Sequence, residues 1–153
     1  MDKIEQDGRR VEDYLAEVDY STDPDYVPSE FALEFLAFIK LVNGPAGEEN
    51  KTPVTHLKML DTMLSDSRIA NLCHRGIAKT TLMAEYLFLY LAVYGELPGF
   101  GPVPYALYVS DSIENGVKKM RLRLQRRWDN SKILQTYIPE TKFTDIRWYF
   151  KNA

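Results

Sequence analysis

The fold of this 153-residue chain is decided by one stretch, Cys73-His74-Arg75-Gly76-Ile77-Ala78-Lys79-Thr80-Thr81. A short apolar run, Arg68–Cys73, leads into it, and a longer one, Leu82–Tyr94, follows it. This order predicts a buried strand, a loop and then a helix. A loop in that position can wrap phosphate groups with its backbone N–H groups, while the new helix directs its positive end at them. The segment therefore predicts a phosphate-binding P-loop.

Two side chains of this loop are of the types that nucleotide phosphates require. Lys79 lies where a P-loop lysine reaches the outer phosphates, and Thr80 lies where the following hydroxyl holds Mg²⁺. The usual pattern has glycine where Cys73 and Ala78 stand, and an alanine at position 78 is tolerable if its φ angle is negative. The residues predicted to line the ATP site are His74, Arg75, Gly76, Ile77, Ala78, Lys79, Thr80 and Thr81. The alternative interpretation is a chance Lys-Thr-Thr at the start of a helix.

Outward from the loop, further elements are predicted on both sides. Ser29 can cap a helix after Pro28, and Thr52-Pro53 is a second helix start, with Thr52 as cap and Pro53 at the first helical position. Downstream, the strands Tyr105–Ser110 and Phe143–Phe150 are separated by a helix that opens at Asp111-Ser112. The β-α-β-α-β order predicts an α/β fold with a parallel sheet flanked by helices.

Composition and charge narrow the class of protein. Hydrophobic residues make up 45% of the chain and charged residues 27%, and the net charge is -3, which is typical of a globular protein. Residues 1–27 are predicted to form an acidic N-terminal arm, the reverse of a secretory signal. No apolar run is long enough to cross a membrane, so we expect a cytoplasmic protein. The single cysteine, Cys73, excludes a disulfide framework, and two histidines make a His-rich metal site improbable.

The run Arg-Gly-x-Ala-Lys-Thr-Thr, residues 75–81, resembles the variant Walker A loop of the large terminase subunit of tailed bacteriophages. The resemblance covers about residues 50–150. It implies a P-loop NTPase domain of the RecA-like (ASCE) type, of which residues 28–153 would be the N-terminal portion, with ATP and Mg²⁺ as cofactors. The implied function is ATP hydrolysis that drives packaging of double-stranded DNA in the bacterial host cytoplasm. The implied partners are the small terminase subunit and the portal, on which such subunits form a ring.

The same resemblance implies roles for residues outside the Lys-Thr pair. Arg75 lies four positions before Lys79, where the family has an arginine assigned to the γ-phosphate. The resemblance therefore makes Arg75 the candidate catalytic residue. The alternative is that Arg75 is an ordinary surface cation. His56 lies in the run Thr52–Leu60, where the family usually has a glutamine that reads adenine. Neutral histidine has its donor and acceptor on opposite sides of the ring, so it cannot pair with adenine as glutamine does. A histidine pointing to solvent is the alternative.

A basic segment follows the second predicted strand. Its six cations are Lys118, Lys119, Arg121, Arg123, Arg126 and Arg127. Such a face can track DNA phosphates by counterion release, and Arg123 and Arg126 are its candidate DNA-binding residues. The alternatives are a solvated surface or a face that meets the acids of a neighbouring subunit.

The sequence lacks one part of an ATPase. No apolar run ends in the paired acids that orient an attacking water, since Asp111 is followed by Ser112. A nuclease domain with clustered aspartates is absent as well. We therefore expect a fragment of a longer motor protein. Two other interpretations stay open: another P-loop motor such as a helicase, and a non-catalytic interaction module with a vestigial loop.

Overall fold

The structure is a computed structural model that describes residues 11–44, 50–66 and 68–151. The chain divides into two compact units, Met1–Ile77 and Ala78–Ala153. The boundary falls inside the predicted P-loop, and residues 11–27 of the predicted acidic arm belong to the first unit. Among the described residues, no helix has both the length and the apolar character needed to cross a membrane.

The described residues of the first unit form three helices and one pair of short strands. Its helices are α1 (Val11–Leu15), α2 (Glu30–Asn43) and α3 (Val54–Ser65). Strands β1 (Val18–Asp19) and β2 (Thr52–Pro53) pair in parallel, with Val18 opposite Thr52. Tyr14 and Val18 are buried, so residues 11–19 pack on the unit. The first ten residues of the arm lie outside the described part of the chain.

The cap of α2 confirms its predicted start. The Ser29 hydroxyl accepts a hydrogen bond from the Ala32 N–H, 3.1 Å away, and thereby satisfies one of the free donors of the first turn. Helix α3 begins one residue later than predicted, at Val54, because Thr52 and Pro53 form β2. Phe35, Leu36, Leu57 and Leu60 are among the fully buried side chains that hold the two helices together.

A polar cluster fixes the segment before α2 onto α3. The Tyr26 and Ser29 hydroxyls both donate to the Asp61 carboxylate, and Lys58 pairs with Asp23. Burial, together with the hydrogen bond to Asp61, raises the pKa of Tyr26 to about 12. The phenol therefore stays protonated at neutral pH and remains the donor.

The second unit begins with the helix that follows the candidate loop. Lys79 and Thr80 are already helical. Helix α4 continues with a π-helical turn, Thr81–Tyr86, and then an α-helical part, Leu87–Tyr94. In the wide turn the Leu87 N–H donates to the Leu82 carbonyl, five residues back. The helix ends at Gly95, whose left-handed φ of 75° lets its N–H return to the Leu91 carbonyl at 2.8 Å.

Two further helices pack beside α4. Helix α5 has a π-helical turn, Ile113–Val117, followed by an α-helical part, Lys118–Asn130, and α6 spans Lys132–Tyr137. The predicted start of α5 is confirmed, because the Ser112 hydroxyl accepts from the Asn115 N–H at 3.0 Å. The core of this unit is formed by the buried side chains Leu89, Met120, Leu124, Leu134 and Ile138.

The strands of the second unit form two hairpins. Strands β3 (Glu96–Leu97) and β4 (Gly101–Pro102) are antiparallel, as are β5 (Glu140–Phe143) and β6 (Trp148–Lys151). The prediction of one continuous strand over Phe143–Phe150 was therefore wrong. Thr144 and Arg147 close a turn in its middle, where the Thr144 N–H donates to the Arg147 carbonyl at 2.8 Å.

Two other predicted strands are not formed. Residues 68–74 and 103–110 have neither helical nor strand structure, and the sheets of the described residues contain two strands each. The side chains explain the difference, since Leu72 is 97% exposed and Tyr105 is 85% exposed. A buried strand needs neighbours on its edges and cover on its faces, and neither segment has them. The parallel sheet of a P-loop domain stays a prediction.

Candidate functional site

The candidate site is the continuous segment from Cys73 to Thr81. Residues 73–78 form an irregular loop, and the helix begins at Lys79, as the sequence predicts for a loop that ends at a helix N-terminus. The Ala78 carbonyl accepts the first bond of this helix, from the Leu82 N–H at 3.0 Å. His74, Arg75, Gly76, Ala78 and Thr80 are exposed, while the side chains of Cys73, Ile77, Lys79 and Thr81 are half-buried.

Two residues of the loop have left-handed backbone. Gly76 has φ of 94° and Ala78 has φ of 56°. A Cβ added at Gly76 would meet no atom within 4 Å, so the dihedral angle and not crowding favours glycine there. Among the described residues, Ala78 is the one non-glycine residue with positive φ. The sequence prediction accepted alanine in place of glycine at position 78 on the condition that its φ is negative. That condition is not met.

The positive φ of Ala78 costs conformational free energy. For an L-residue other than glycine the left-handed region costs roughly 1–2 kcal/mol, because Cβ approaches the following carbonyl oxygen. Position 78 directly precedes the lysine, where the usual P-loop pattern has glycine. The backbone here thus has the conformation for which the usual motif carries glycine, although the side chain is a methyl group.

His56 contacts this loop. It lies in the first turn of α3, and its Nε2 is 2.5 Å from the carbonyl oxygen of Ile77, to which it donates a hydrogen bond. Both residues belong to the first unit. The imidazole is half-buried, so it does not point freely to solvent. The sequence gave no sign that the imidazole binds the loop backbone, and adenine recognition by His56 stays a prediction.

In the second unit, the basic face of α5 is partly used within the protein. Glu85 lies in the π-helical turn of α4, and its side chain is only 3% exposed. The Arg123 Nη1 donates to its Oε1 at 3.0 Å, and the Arg127 Nε donates to its Oε2 at 2.9 Å. Arg127 also donates to the Tyr86 hydroxyl at 2.7 Å and lies over that ring, 4.3 Å from its centre.

The two candidate DNA-binding residues, Arg123 and Arg126, differ in their contacts within the protein. Arg123 pairs with Glu85 while its side chain remains 53% exposed. Arg126 is exposed, and its backbone carbonyl accepts from the Asn130 side chain at 2.7 Å. The pairing could have been suspected from the sequence, because Glu85 is the single acid within the apolar run Leu82–Tyr94 and a buried acid requires a cation.

Metal-binding clusters can be assessed for the described residues. They contain no group of three or more His, Cys, Asp or Glu side chains placed to hold a metal ion. A P-loop does not need such a cluster, since it holds Mg²⁺ mainly through the nucleotide and one hydroxyl. Thr80, with its exposed side chain at the helix start, is the residue available for that role.

No protein-family model, curated protein or solved structure matches this chain.

Proposed function

We propose that this chain binds a nucleoside triphosphate, with ATP as the ligand, through the loop from His74 to Thr81. One observation carries the proposal: the backbone is left-handed at Gly76 and Ala78, immediately before a helix that begins at Lys79 and Thr80. Successive N–H groups in such a turn form a concave nest for anions, and the positive helix end adds to it.

Each residue type then has a part in holding the ligand. Lys79 supplies the cation that meets the outer phosphates, and the Thr80 hydroxyl is a ligand for the accompanying Mg²⁺. Arg75, exposed in the same loop, is suited to offset the charge that develops on a γ-phosphate. ATP bound with Mg²⁺ supplies the reactive phosphoanhydride, and these residues bind and orient it.

We further propose that the loop serves an ATP-driven DNA-packaging motor of the large-terminase type. The support is the Arg-Gly-x-Ala-Lys-Thr-Thr spelling of residues 75–81, together with the glycine-like backbone at Ala78. In that role double-stranded DNA, the small terminase subunit and the portal would be its partners, and turnover would require residues that this sequence does not supply.

The proposal is tested by Lys79→Ala, with Lys132→Ala as the matched control. Lys132 is exposed at the start of α6, so its loss removes one positive charge far along the chain from the loop. We expect Lys79→Ala to abolish the ATP binding that isothermal titration detects for the unsubstituted chain, and Lys132→Ala to retain it. Equal ATP affinity in all three proteins would reject the P-loop assignment.

One observation favours a second function, an interaction module with a vestigial loop. Tyr105, Leu107 and Val109 are exposed at alternate positions of one segment without secondary structure, and a contiguous exposed apolar patch is typical of binding surfaces. The titration above separates the two functions, because a vestigial loop would bind neither ATP nor inorganic tripolyphosphate in the unsubstituted chain.

A further inference from the structure

We infer that His56 is a positioning residue that sets the orientation of the Ile77–Ala78 peptide group for phosphate binding. The inference rests on the proposed function and assigns His56 a role different from adenine recognition. It starts from the hydrogen bond that the His56 Nε2–H donates to the Ile77 carbonyl.

The peptide plane carries this effect from His56 to the loop. In a trans peptide the C=O and the N–H of the next residue point in opposite directions, and the plane is rigid; the described chain has no cis peptide bond. Holding the Ile77 oxygen towards the imidazole therefore turns the Ala78 N–H to the opposite side. That N–H directly precedes Lys79, so it belongs to the set that would wrap a phosphate.

The same bond opposes the strain at Ala78. A peptide flip that carried Ala78 out of its left-handed conformation, φ of 56°, would move the Ile77 carbonyl away from His56 and break the hydrogen bond. A glycine would hold this angle without side-chain cost. The alanine in this chain needs another source of stabilisation, and His56 supplies one.

The helix that carries His56 is suited to hold a fixed position. His56 is flanked in α3 by Val54, Leu57 and Leu60, which are fully buried. An imidazole on the first turn of such an anchored helix has little freedom to follow the loop. The loop is therefore ordered by the helix, and preorganised donors bind an anion more tightly because no ordering is needed when it arrives.

Two ligands distinguish this role from adenine recognition. Inorganic tripolyphosphate has the phosphates of ATP without the base. We expect His56→Leu to weaken binding of ATP and of tripolyphosphate by the same factor, about 3 to 10, which is the worth of one hydrogen bond. His56→Gln keeps an N–H donor of similar reach and should restore most of the affinity. Thr62→Ala, at an exposed position on the same helix, is the control, and it should leave the affinities for ATP and for tripolyphosphate unchanged.

Several results would overturn the inference. A loss of ATP affinity with unchanged tripolyphosphate affinity would assign His56 to the base, and unchanged affinity for both would leave it without a role in the loop. Should His56→Leu fail to fold by circular dichroism, His56→Met replaces it. If Lys79→Ala binds as tightly as the unsubstituted chain, the proposed function itself fails; if Lys79→Ala does not bind and His56→Leu is neutral, only the inference fails.

A measurement of stability without ligand tests whether the His56 hydrogen bond supports the backbone angle at Ala78. In a double-mutant cycle, His56→Leu should lower the urea midpoint less in the Ala78→Gly background than in the unsubstituted chain, because glycine no longer needs the support. Equal shifts in the two backgrounds would mean that His56 stabilises α3 alone, and the inference would be wrong.

Discussion

A single methyl group at Ala78 distinguishes this loop from one built with glycine. The residue before the helix that starts at Lys79 has left-handed backbone, with φ of 56°. Strained backbone of this kind persists where surrounding contacts over-determine it. The His56 hydrogen bond to Ile77 and the Leu82 bond to the Ala78 carbonyl are two such contacts.

Replacing this alanine should therefore stabilise the protein. We expect Ala78→Gly to raise the free energy of unfolding by about 0.5–1 kcal/mol, since relief of roughly 1–2 kcal/mol of strain exceeds the entropy that glycine adds to the unfolded chain. Ala78→Val should lower it, because a β-branched residue tolerates positive φ worst. Urea titration followed by circular dichroism measures both. A glycine variant less stable than the alanine protein would refute the assigned backbone conformation.

At this scale the sequence predicted where the helix begins but not the backbone angle that precedes it. Lys79 and Thr80 lie at the start of a helix, as their spacing indicated. The left-handed angle at Ala78 was not predicted, because alanine has no intrinsic preference for it and the angle depends on how the loop closes. The contact of His56 with Ile77 joins residues 21 positions apart, a distance at which local pattern carries no information.

Between elements, a pair of ionic hydrogen bonds joins the π-helical turn of α4 to α5 in the second unit. Glu85 is buried, whereas Arg127 is 26% exposed and Arg123 about half exposed. A buried carboxylate is costly unless it is paired and hydrogen-bonded. The two guanidinium groups meet that requirement, so the basic helix has a structural role whether or not it also meets an external anion.

Neutralising this acid should weaken the second unit. We expect Glu85→Gln to lower the free energy of unfolding by about 1–2 kcal/mol, less than a fully buried pair would lose, because both arginines can recover water. The two tryptophans, Trp128 and Trp148, both lie in this unit, so their fluorescence during urea titration reports on it. Glu114→Gln is the control, since its pair with Lys118 is exposed and should add little. Equal stability of Glu85→Gln and the unsubstituted protein would show that the pair contributes nothing.

The capped starts of α2 and α5 were predictable from the sequence, whereas the pairing of strands was not. The hydroxyls of Ser29 and Ser112 each accept a hydrogen bond from the backbone N–H three residues later. Such a cap is local, so it can be recognised in the sequence. A strand instead requires a partner, and Arg68–Cys73 and Tyr105–Ser110 have strand composition without a paired neighbour among the described residues. Phe143–Phe150 has such composition too, but the turn at Thr144–Arg147 folds it back, so that Phe143 stacks on Trp148 with 5.2 Å between ring centres.

For the whole molecule, the proposed phosphate binding and ATP hydrolysis would need different residues. The proposed binding would use the continuous loop Cys73–Thr81, with Lys79 and Thr80 at the start of the helix that follows it. Hydrolysis additionally needs acidic residues that orient the attacking water, and no apolar run of the sequence ends in paired acids, since Asp111 is followed by Ser112.

We therefore expect the 153-residue chain to release no phosphate from ATP in the presence of Mg²⁺. A sensitive phosphate-release assay on the unsubstituted chain and on Lys79→Ala measures this directly. Equal background in both proteins agrees with the expectation. Turnover that disappears in Lys79→Ala would mean that the missing carboxylate lies within these residues and that the sequence argument for its absence is wrong.

The π-helical turn Thr81–Tyr86 has a consequence for how the helix would respond to a change in its length. A π turn is closed by hydrogen bonds between residues five positions apart, so it holds one residue more than an α turn. Each residue of an α-helix turns the chain by about 100° around the helix axis. Removing one residue from this turn would leave an ordinary α turn, so Lys79 before it and the apolar side chains after Leu87 would keep their faces of the helix. A deletion in the α-helical part, Leu87–Tyr94, would instead rotate Lys79 by about 100° relative to the side chains beyond it.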